Sequence, residues 1–368
     1  ISVHLDAVPA TRYDALVEPG LLGRAGDHVR ALLPAPGRLF GITTPPVAQF
    51  WGANLSRAMA AAGAEFELLT MPDGEPHKTL SALEGLADIL LASGADRDSA
   101  IVAFGGGMVG DVAALLASVY MRGLPLVQIP TTLVAMVDSA LGGKTAVNLG
   151  AGKNLLGTFY HPRMILVDPE VLGTLPEREY RSGLAEAIKY GIIRDAALFA
   201  WIESHAADLE QRQPAALEAL ICACLRHKAE VVAQDERESG VRRTLNFGHT
   251  LGHALESATG YQYFLHGEAV AWGMLAAAAL AVCMGLCPQA EADRMRRLIV
   301  RLCDPLPPIA VTEAEIVRHA ASDKKARHGV LHFILPRAIG RVEVVRDVPE
   351  TRIAEALMLT AQLSQPAR

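Results

Sequence analysis

Up to about residue 175, short apolar runs alternate with longer segments of helical period. GRLFGITT reads as a strand ending in small polar residues, VAQFWGANLSRAMAAAG as a helix with a glycine stop, and EFELLTMPDGE as a strand entering a turn. KTLSALEGLADILLASG predicts a helix that begins near Thr79. SAIVAFGGGMVGDVAALLASVYMRG follows as strand, glycine turn and helix, and LPLVQIPTTL as another buried strand closed by two threonines. This rhythm predicts a doubly wound sheet, in which ligands sit beyond the carboxyl ends of the strands. Past Leu175 the pattern changes. LPEREYRSGLAEAIKYGII, ALFAWIESHAADLE, PAALEALICACLRHKAEVVAQDE and the stretch from Arg242 onward have helical period, and no strand pattern returns until LHFILP and RVEVV. The expected fold class is α/β: an N-terminal doubly wound nucleotide-binding domain over 1–175 and a mostly α-helical domain over 176–368, with the functional cleft between them.

Composition adds limits. Hydrophobic residues make up 51% and charged ones 20%, as in a globular chain. A net charge of -6 offers no general basic field for nucleic acid or an anionic membrane, so an anionic small molecule needs a local cluster of cations. The longest apolar run, AVAWGMLAAAALAVCMGL, reads as a buried helix of a bundle rather than a membrane span. Five cysteines (Cys222, Cys224, Cys283, Cys287, Cys303) are odd in number and lie in the second half, which suits buried thiols in a reducing compartment. Nothing is patterned like a signal peptide, and a cytoplasmic location is expected.

The densest candidate chemistry lies in RRTLNFGHTLGHALESATGYQYFLHGE, from Arg242 to Glu268. His249 and His253 are four apart and share a helix face, while His266 follows a segment that reads as a loop returning to the same place. Three protein ligands and one open position is the catalytic pattern for zinc, and Glu186 in SGLAEAIKYG, one turn before Lys189, is the best carboxylate candidate. Any one of these histidines alone is more simply a capping or surface residue. Their grouping beside Asn246, Arg242 and a Glu–Lys pair favours a metal site.

The glycine turn from Gly105 to Asp111 follows a strand and opens a helix, where backbone N–H groups can approach a pyrophosphate. Its spacing is not G-x-G-x-x-G, and a ligand-free tight turn would look the same. The company of Glu75, Lys78, Thr131 and Thr132 favours a dinucleotide, with Glu75 suited to a ribose hydroxyl and Lys78 and the threonines to phosphate or nicotinamide amide. VDSALGGKTAVNLGAGKNLLGTFY sets Asp138, Lys144, Asn148, Lys153 and Asn154 in a Gly-rich segment expected between the domains. It suits a phosphate or sugar hydroxyls, and a solvated loop equally. Lys228 lies in a charge-rich run of the kind that usually forms a solvated face. Asp323-Lys324-Lys325 precedes the returning strand and is placed to close the cleft. Counting Lys144, Lys189, Lys228, Arg242 and one of Lys324 or Lys325, at least five cations enter one cleft, which argues for a polyanionic small substrate. Residues alone thus point to a metal-dependent, nucleotide-using enzyme that oxidises an alcohol on a phosphorylated small acid.

PDGEPHKTL, GGGMVGDVAALLASVYMRG, IPTTLVAMVDSALGGKTAVN, GKNLLGTFY, LPEREYRSGLAEAIKYGII, RRTLNFGHTLGHALE, HGEAVAWGM and DKKARHG, in order over residues 72–329, resemble the 3-dehydroquinate synthases of the sugar-phosphate cyclase superfamily. The resemblance implies a homodimer using NAD and a divalent metal, zinc or else cobalt. Its reaction would take 3-deoxy-D-arabino-heptulosonate 7-phosphate to 3-dehydroquinate and phosphate in the shikimate pathway to aromatic amino acids. Transient oxidation, phosphate elimination, return of the hydride and aldol closure would leave no net redox change. It implies metal ligands at Glu186, His249 and His266, and NAD contacts at Glu75, Lys78, Gly106, Gly107, Asp111, Thr131, Thr132, Lys153 and Thr174. Substrate contacts are implied at Asp138, Lys144, Asn154, Lys189, Lys228, Arg242, Asn246, His253 and the Lys324–Lys325 pair, with Arg122 reaching the phosphate of the other subunit. One departure is ITTPPV, where many members carry an acidic or amide residue for the adenosine; Thr43 or Thr44 would have to substitute. Other readings are an aminodehydroquinate synthase or another sugar-phosphate cyclase, a metal-dependent polyol dehydrogenase of the same two-domain plan, and a non-catalytic binding protein. The basic cluster speaks against the dehydrogenase, and the full set of metal ligands against the binding protein.

Overall fold

Apolar runs too short for helices become strands. A computed structural model of the chain describes residues 12–33, 37–150, 152–326 and 331–361, with backbone alone for 322–326. Its strands are β1 (Asp14–Val17), β2 (Leu39–Thr43), β3 (Phe66–Thr70), β4 (Ala100–Gly105), β5 (Leu126–Pro130), β6 (Val147–Leu149), β7 (Gly152–Leu156), β8 (Met164–Val167), β9 (His332–Ala338) and β10 (Arg341–Arg346). Six of them form one sheet in the order β1-β8-β5-β4-β2-β3, and every pairing in it is parallel. Strands β2, β4 and β5 are buried along their whole length, which is why they read as unbroken apolar runs rather than alternating ones. The helices Leu80–Ala92 and Gly107–Val119 pack on the sheet through Leu83, Leu86, Leu90, Val112 and Leu116. As the sequence predicts, Thr79 caps the first of these, its Oγ1 accepting from the Ala82 amide at 3.2 Å. The chain runs outward from β2 to β3, then returns to β4 and proceeds the other way to β5 and β8. The strand order therefore reverses between β2 and β4, where doubly wound sheets bind ligands.

The chain divides into two units, one of Ile1–Thr131 with Ser139–Val171 and one of Thr132–Asp138 with Leu172–Arg368. The excursion at Thr132–Asp138 is made possible by a glycine. A Cβ on Gly183 would stand 2.4 Å from that of Leu133, so Leu133 nests directly on the backbone of the helix Glu177–Arg194. Within the Gly-rich segment expected as an irregular piece between the domains, Val147–Leu149 and Gly152–Leu156 form an antiparallel β6–β7 hairpin belonging to the first unit, while Asp138 belongs to the second. Side-chain bonds hold the hairpin, with Asn148 Oδ1 accepting from the Asn154 amide at 2.8 Å.

The second unit is mostly helical, with one antiparallel hairpin of β9 and β10. Its axis is the helix His266–Cys283, apolar and long enough to cross a membrane but 78% buried within the protein, as a core helix is. It packs against the helices Glu177–Arg194, His249–Ala258, Gln289–Cys303 and Glu350–Ala361. Two of these contacts are backbone to backbone. A Cβ on Gly267 would lie 1.9 Å from the Ser182 carbonyl oxygen, and one on Gly273 1.9 Å from that of Gly248. These glycines let three helices approach closely enough for their side chains to converge on one point.

Gly267→Ala and Gly273→Ala are each expected to lower unfolding free energy by about 1–3 kcal/mol through overpacking. Gly85→Ala, at a helix-interior position with open space around its Cβ, should raise it by about 0.5–1 kcal/mol. Chemical denaturation reads both. A Gly267→Ala protein as stable as the parent would refute the close helix contact.

Candidate active site

Glu186 sits in the middle of the helix Glu177–Arg194 with no exposed surface. His249 and His266 are each the first residue of a helix, so their rings project from helix starts toward Glu186. Glu186 Oε1 lies 3.5 Å from His249 Nε2 and 3.2 Å from His266 Nε2. Neither Glu186 oxygen accepts a hydrogen bond of ordinary geometry. The three ligand atoms lie within 4.8 Å of one another. Two donors bound tetrahedrally to zinc stand roughly 3.3–3.4 Å apart, so the observed spacings are those of atoms converging on a shared cation. His249 Nδ1 is 3.0 Å from the Phe247 carbonyl, which selects the tautomer with a free lone pair on Nε2.

The electrostatics of Glu186 and His249 agree with that use, while His266 without a cation holds its proton between two carboxylates. Burial alone would raise the Glu186 pKa, but Lys189 and the neighbouring imidazoles hold it well below the usual carboxylate range. Burial, aided by Lys189 and opposed by Glu186, lowers His249 to about 3, leaving the ring neutral at neutral pH. Burial also pulls His266 down, but Glu186 and Glu256 at its two nitrogens outweigh it and raise its pKa to about 10. His253 is exposed at the lip of the cluster, its ring centroid 5.3 Å from that of His249 and 5.9 Å from that of His266.

Beside these lies a buried ionic cluster. Lys189 and Lys228 are 1% and 6% exposed, so Lys228 lies inside, as its place among the cleft cations requires, although its charge-rich run is of the kind that usually forms a solvated face. It falls on the buried stripe Leu217, Ile221, Cys224, Leu225 and Val231 of the helix Pro214–Gln234, a signal visible in the i, i+3, i+4 spacing. Asp138 pairs with Lys228, stands 3.6 Å from Lys189 and accepts from the Tyr190 hydroxyl at 3.1 Å. Burial opposes ionisation of Asp138, but the two lysines win and hold it well below the usual range. Lys189 contacts Glu186 as well, and its pKa rises despite burial because both carboxylates favour the charged form. Burial, with Lys189 and Arg242 nearby, lowers Lys228, and Asp138 offsets only part of this.

Arg242 is 2% exposed and donates to the Glu236 carbonyl. Its turn is organised by Asp235, whose carboxylate accepts from the amides of Ser239, Gly240 and Arg242 at 2.9, 2.7 and 3.0 Å. Burial works against it, yet these bonds lower Asp235 to about 2. Asn246 donates to Glu238. Asp235, Glu238 and Tyr190 were missed in the sequence; the run DERESG, an acidic residue opening a turn that ends in glycine, was the available signal for the first.

In the first unit the glycine turn lies at the end of β4, with Gly106 capping the helix Gly107–Val119 and Gly107 opening it. Thr131 follows the adjacent β5, and Thr43 ends the adjacent β2; the hydroxyls of both are buried without a hydrogen-bond partner. Lys78 donates to Asp111 and Asn154 at 2.5 Å each, and Asn148 donates to Glu75 Oε1 at 2.8 Å, so these residues form one network. Lys144 bridges backbone to backbone with Phe159 and is exposed, Lys153 is half-buried on β7, and Arg122 is exposed with φ 70°. Thr44 is buried next to Thr43. Thr132 begins the second unit's excursion, its Oγ1 accepting from the Ala135 amide at 3.3 Å, and Thr174 is exposed at the end of the turn Pro169–Thr174. Lys324 and Lys325 lie on the helix Glu313–Ala326, but their side chains fall outside the described residues, as do residues 327–330.

A doubly wound sheet with a glycine turn at its switch point is joined in one chain to a helical unit carrying Glu186, His249 and His266 beside buried lysines, and the chain has sugar-phosphate cyclases among its relatives of known structure. Among solved structures it is similar to 2-epi-5-epi-valiolone synthase from Streptomyces hygroscopicus subsp. jinggangensis 5008 with NAD+ and Zn2+ bound, at 34% identity and TM-score 0.90 over 98% of this chain and 100% of that one. It is also similar to 2-deoxy-scyllo-inosose synthase complexed with carbaglucose-6-phosphate, NAD+ and Co2+, at 29% identity and TM-score 0.84 over 93% and 95%. Glycerol dehydrogenase from Schizosaccharomyces pombe, 16% identical with TM-score 0.68 over 98% of this chain and 91% of that one, shares the fold alone. The family model for the 3-dehydroquinate synthase N-terminal part matches residues 68–182 and that for the C-terminal part residues 183–326. The 3-dehydroquinate synthase of Koribacter versatilis (strain Ellin345) is 49% identical over 96% of this chain and 97% of its own length, and that of Solibacter usitatus (strain Ellin6076) 46% over 96% and 98%. The chain belongs to the 3-dehydroquinate synthase family.

Asp138→Asn should cost about 3–5 kcal/mol near neutral pH, because it leaves buried lysine charge without its partner. A carboxyl with a depressed folded pKa contributes stability above its unfolded value, here near 3.8, and loses it as pH falls further. The gap between parent and variant should therefore be flat from pH 8 down to about 4 and narrow only below that. Urea unfolding across that range tests it; a gap that closes near pH 6 would contradict the assignment.

Proposed function

We propose that this chain converts 3-deoxy-D-arabino-heptulosonate 7-phosphate to 3-dehydroquinate and inorganic phosphate, as a phosphate-eliminating lyase of the shikimate pathway. The observation that carries this reading is the family match through both halves of the chain, residues 68–326. The convergence of Glu186, His249 and His266 beside buried lysines supports it. Glu186, His249 and His266 hold a divalent metal, zinc or cobalt, and the ionised carboxylate and two imidazoles are donors those metals accept.

NAD contacts fall to Gly106, Gly107, Asp111, Thr131, Thr132, Glu75, Lys78, Lys153 and Thr174. The unpartnered hydroxyls of Thr131 and Thr43 at neighbouring strand ends support this, and Thr43 rather than Thr44 then takes the adenosine contact. NAD held there would supply a hydride acceptor and donor within one turnover, and the metal a Lewis acid at the alcohol. Lys189, Lys228 and Arg242 place positive charge where a carboxylate and a phosphate must be held, joined by Lys144, Asn154, Asn246, His253 and the Lys324–Lys325 pair. Asp138 keeps the two buried lysines charged and separated. Elimination removes the proton next to the transient ketone and breaks the carbon–oxygen bond, with the electron pair leaving on phosphate. Phosphate itself accepts the proton, and the surrounding cations stabilise the charge it carries away. The later ring opening and aldol closure need only that the carboxylate stay anchored.

The working unit is a homodimer in which Arg122 reaches the partner's phosphate. The exposed Val119, Met121, Leu149, Leu155, Leu156 and Phe159 support a covered face there, and Thr158 Oγ1 donating to Ser118 Oγ at 2.9 Å ties their segments together. A cytoplasmic location is supported by five free cysteines.

Metal-stripped protein with NAD should release no phosphate from this substrate until zinc or cobalt is added, and should then form dehydroquinate with no net NADH. Glu186→Gln should lose the metal-restored activity. Steady NADH production without phosphate would instead mark a dehydrogenase. Silence on this substrate despite NAD and metal binding would assign a different sugar phosphate, the aminated analogue first.

A further inference from the structure

His266 has carboxylates at both ring nitrogens. Its Nε2 faces Glu186 at 3.2 Å, and its Nδ1 faces Glu256 Oε2 at 3.5 Å. Glu256 lies seven residues after His249 on the helix His249–Ala258, so one helix face carries His249, His253 and Glu256 together. It is only 3% exposed. A buried ionised carboxylate costs several kcal/mol unless a partner answers it, and nothing in the reaction sequence described above uses Glu256. A neutral imidazole carries one proton. If Nε2 is to offer its lone pair to a cation shared with Glu186 and His249, that proton must sit on Nδ1, which faces Glu256.

We propose that Glu256 is a positioning residue of the metal centre: it accepts the Nδ1–H of His266, and so fixes the tautomer and ring orientation that aim Nε2 at the point shared with Glu186 and His249. The inference rests on the metal-site reading under the proposed function. His249 is held in the corresponding way by the Phe247 carbonyl, so both imidazoles have their outer nitrogen engaged. The ligand atoms of His253, Glu256 and His266 also lie within 4.8 Å of one another, which could suggest a second cation. That arrangement would require His266 to lose both ring protons and bridge two metals. A hydrogen bond from Nδ1–H to Glu256 satisfies the buried carboxylate without that cost.

The test is uptake of Zn2+ and Co2+ alone by the full-length metal-stripped protein, measured against a chromophoric chelator. Glu256→Leu, which removes the acceptor, should weaken both metals about 10- to 100-fold. Glu256→Gln keeps shape and a carbonyl acceptor and should fall between parent and Leu variant, which keeps the test open if the Leu variant does not fold. The Co2+ ligand-field absorption should shift in both variants, a change that a purely structural role would not produce. Glu186→Gln is the reference. If it abolishes uptake while Glu256→Gln and any folded Glu256→Leu keep the parental affinity and Co2+ spectrum, the role given to Glu256 is overturned and the metal site stands. If the parent takes up neither metal, or Glu186→Gln leaves uptake unchanged, the metal-site reading fails and this inference with it.

Discussion

A fully buried carboxylate must be answered, and in the second unit that carboxylate is Glu186. Its surroundings follow from this requirement. Lys189, one turn along the same helix, supplies a permanent charge, and His249 and His266 arrive from the starts of two other helices. Those starts can reach it only because Gly267 and Gly273 remove the side chains that would hold the helices apart. The close packing is thus a condition of the chemistry. A helix with ordinary spacing would set the imidazoles too far from Glu186 to share a cation with it.

The same logic governs the lysines. Lys189, Lys228 and Arg242 are buried cations, while Glu186 and Asp138 are the carboxylates among them. Taking cations out of water is unfavourable unless anions answer them, and Asp138 answers both lysines at once. Under the proposed function, the carboxylate and phosphate of the substrate would add further anionic partners here. The lowered pKa of Lys228 expresses the same tension, since burial and its cationic neighbours outweigh what Asp138 returns. An anion bound beside Lys228 would relieve that tension.

How much of this was legible in the sequence varied with the kind of information each feature carries. The parallel sheet was readable because β2, β4 and β5 are buried on both faces and so appear as unbroken apolar runs. Glu186, His249 and His266 were readable as candidates because their residue types are rare in apolar helical sequence. The β6–β7 hairpin was not, because side-chain bonds of Asn148 hold its short strands rather than a hydrophobic alternation. Lys228 was readable as a cleft cation only by its company, because its charged neighbours Arg226, His227 and Glu230 mask the apolar stripe on which it lies. Glu256 was invisible for a related reason. Its significance comes from His266, which is close in space but belongs to another helix, and only the folded geometry pairs them.

The two units handle buried polarity differently. In the second unit charges are paired inside the helical core. In the first, Lys78, Asp111, Asn154, Asn148 and Glu75 hold one another in a network at the hairpin. Asn154 takes a left-handed conformation, φ 56°, which Asn tolerates better than most residues, and its amide is tied to Asn148 in that state. Such a network could exchange internal bonds for bonds to a ligand at modest net cost, because a hydrogen bond lost to a neighbour is replaced by one to the ligand. The hydroxyls of Thr43 and Thr131 differ, being buried and unpaired at the strand ends. If the dinucleotide lies at that edge, as proposed above, it would satisfy these hydroxyls and so gain from them. A mobile loop would lack this bias, because its polar groups would already be bonded to water.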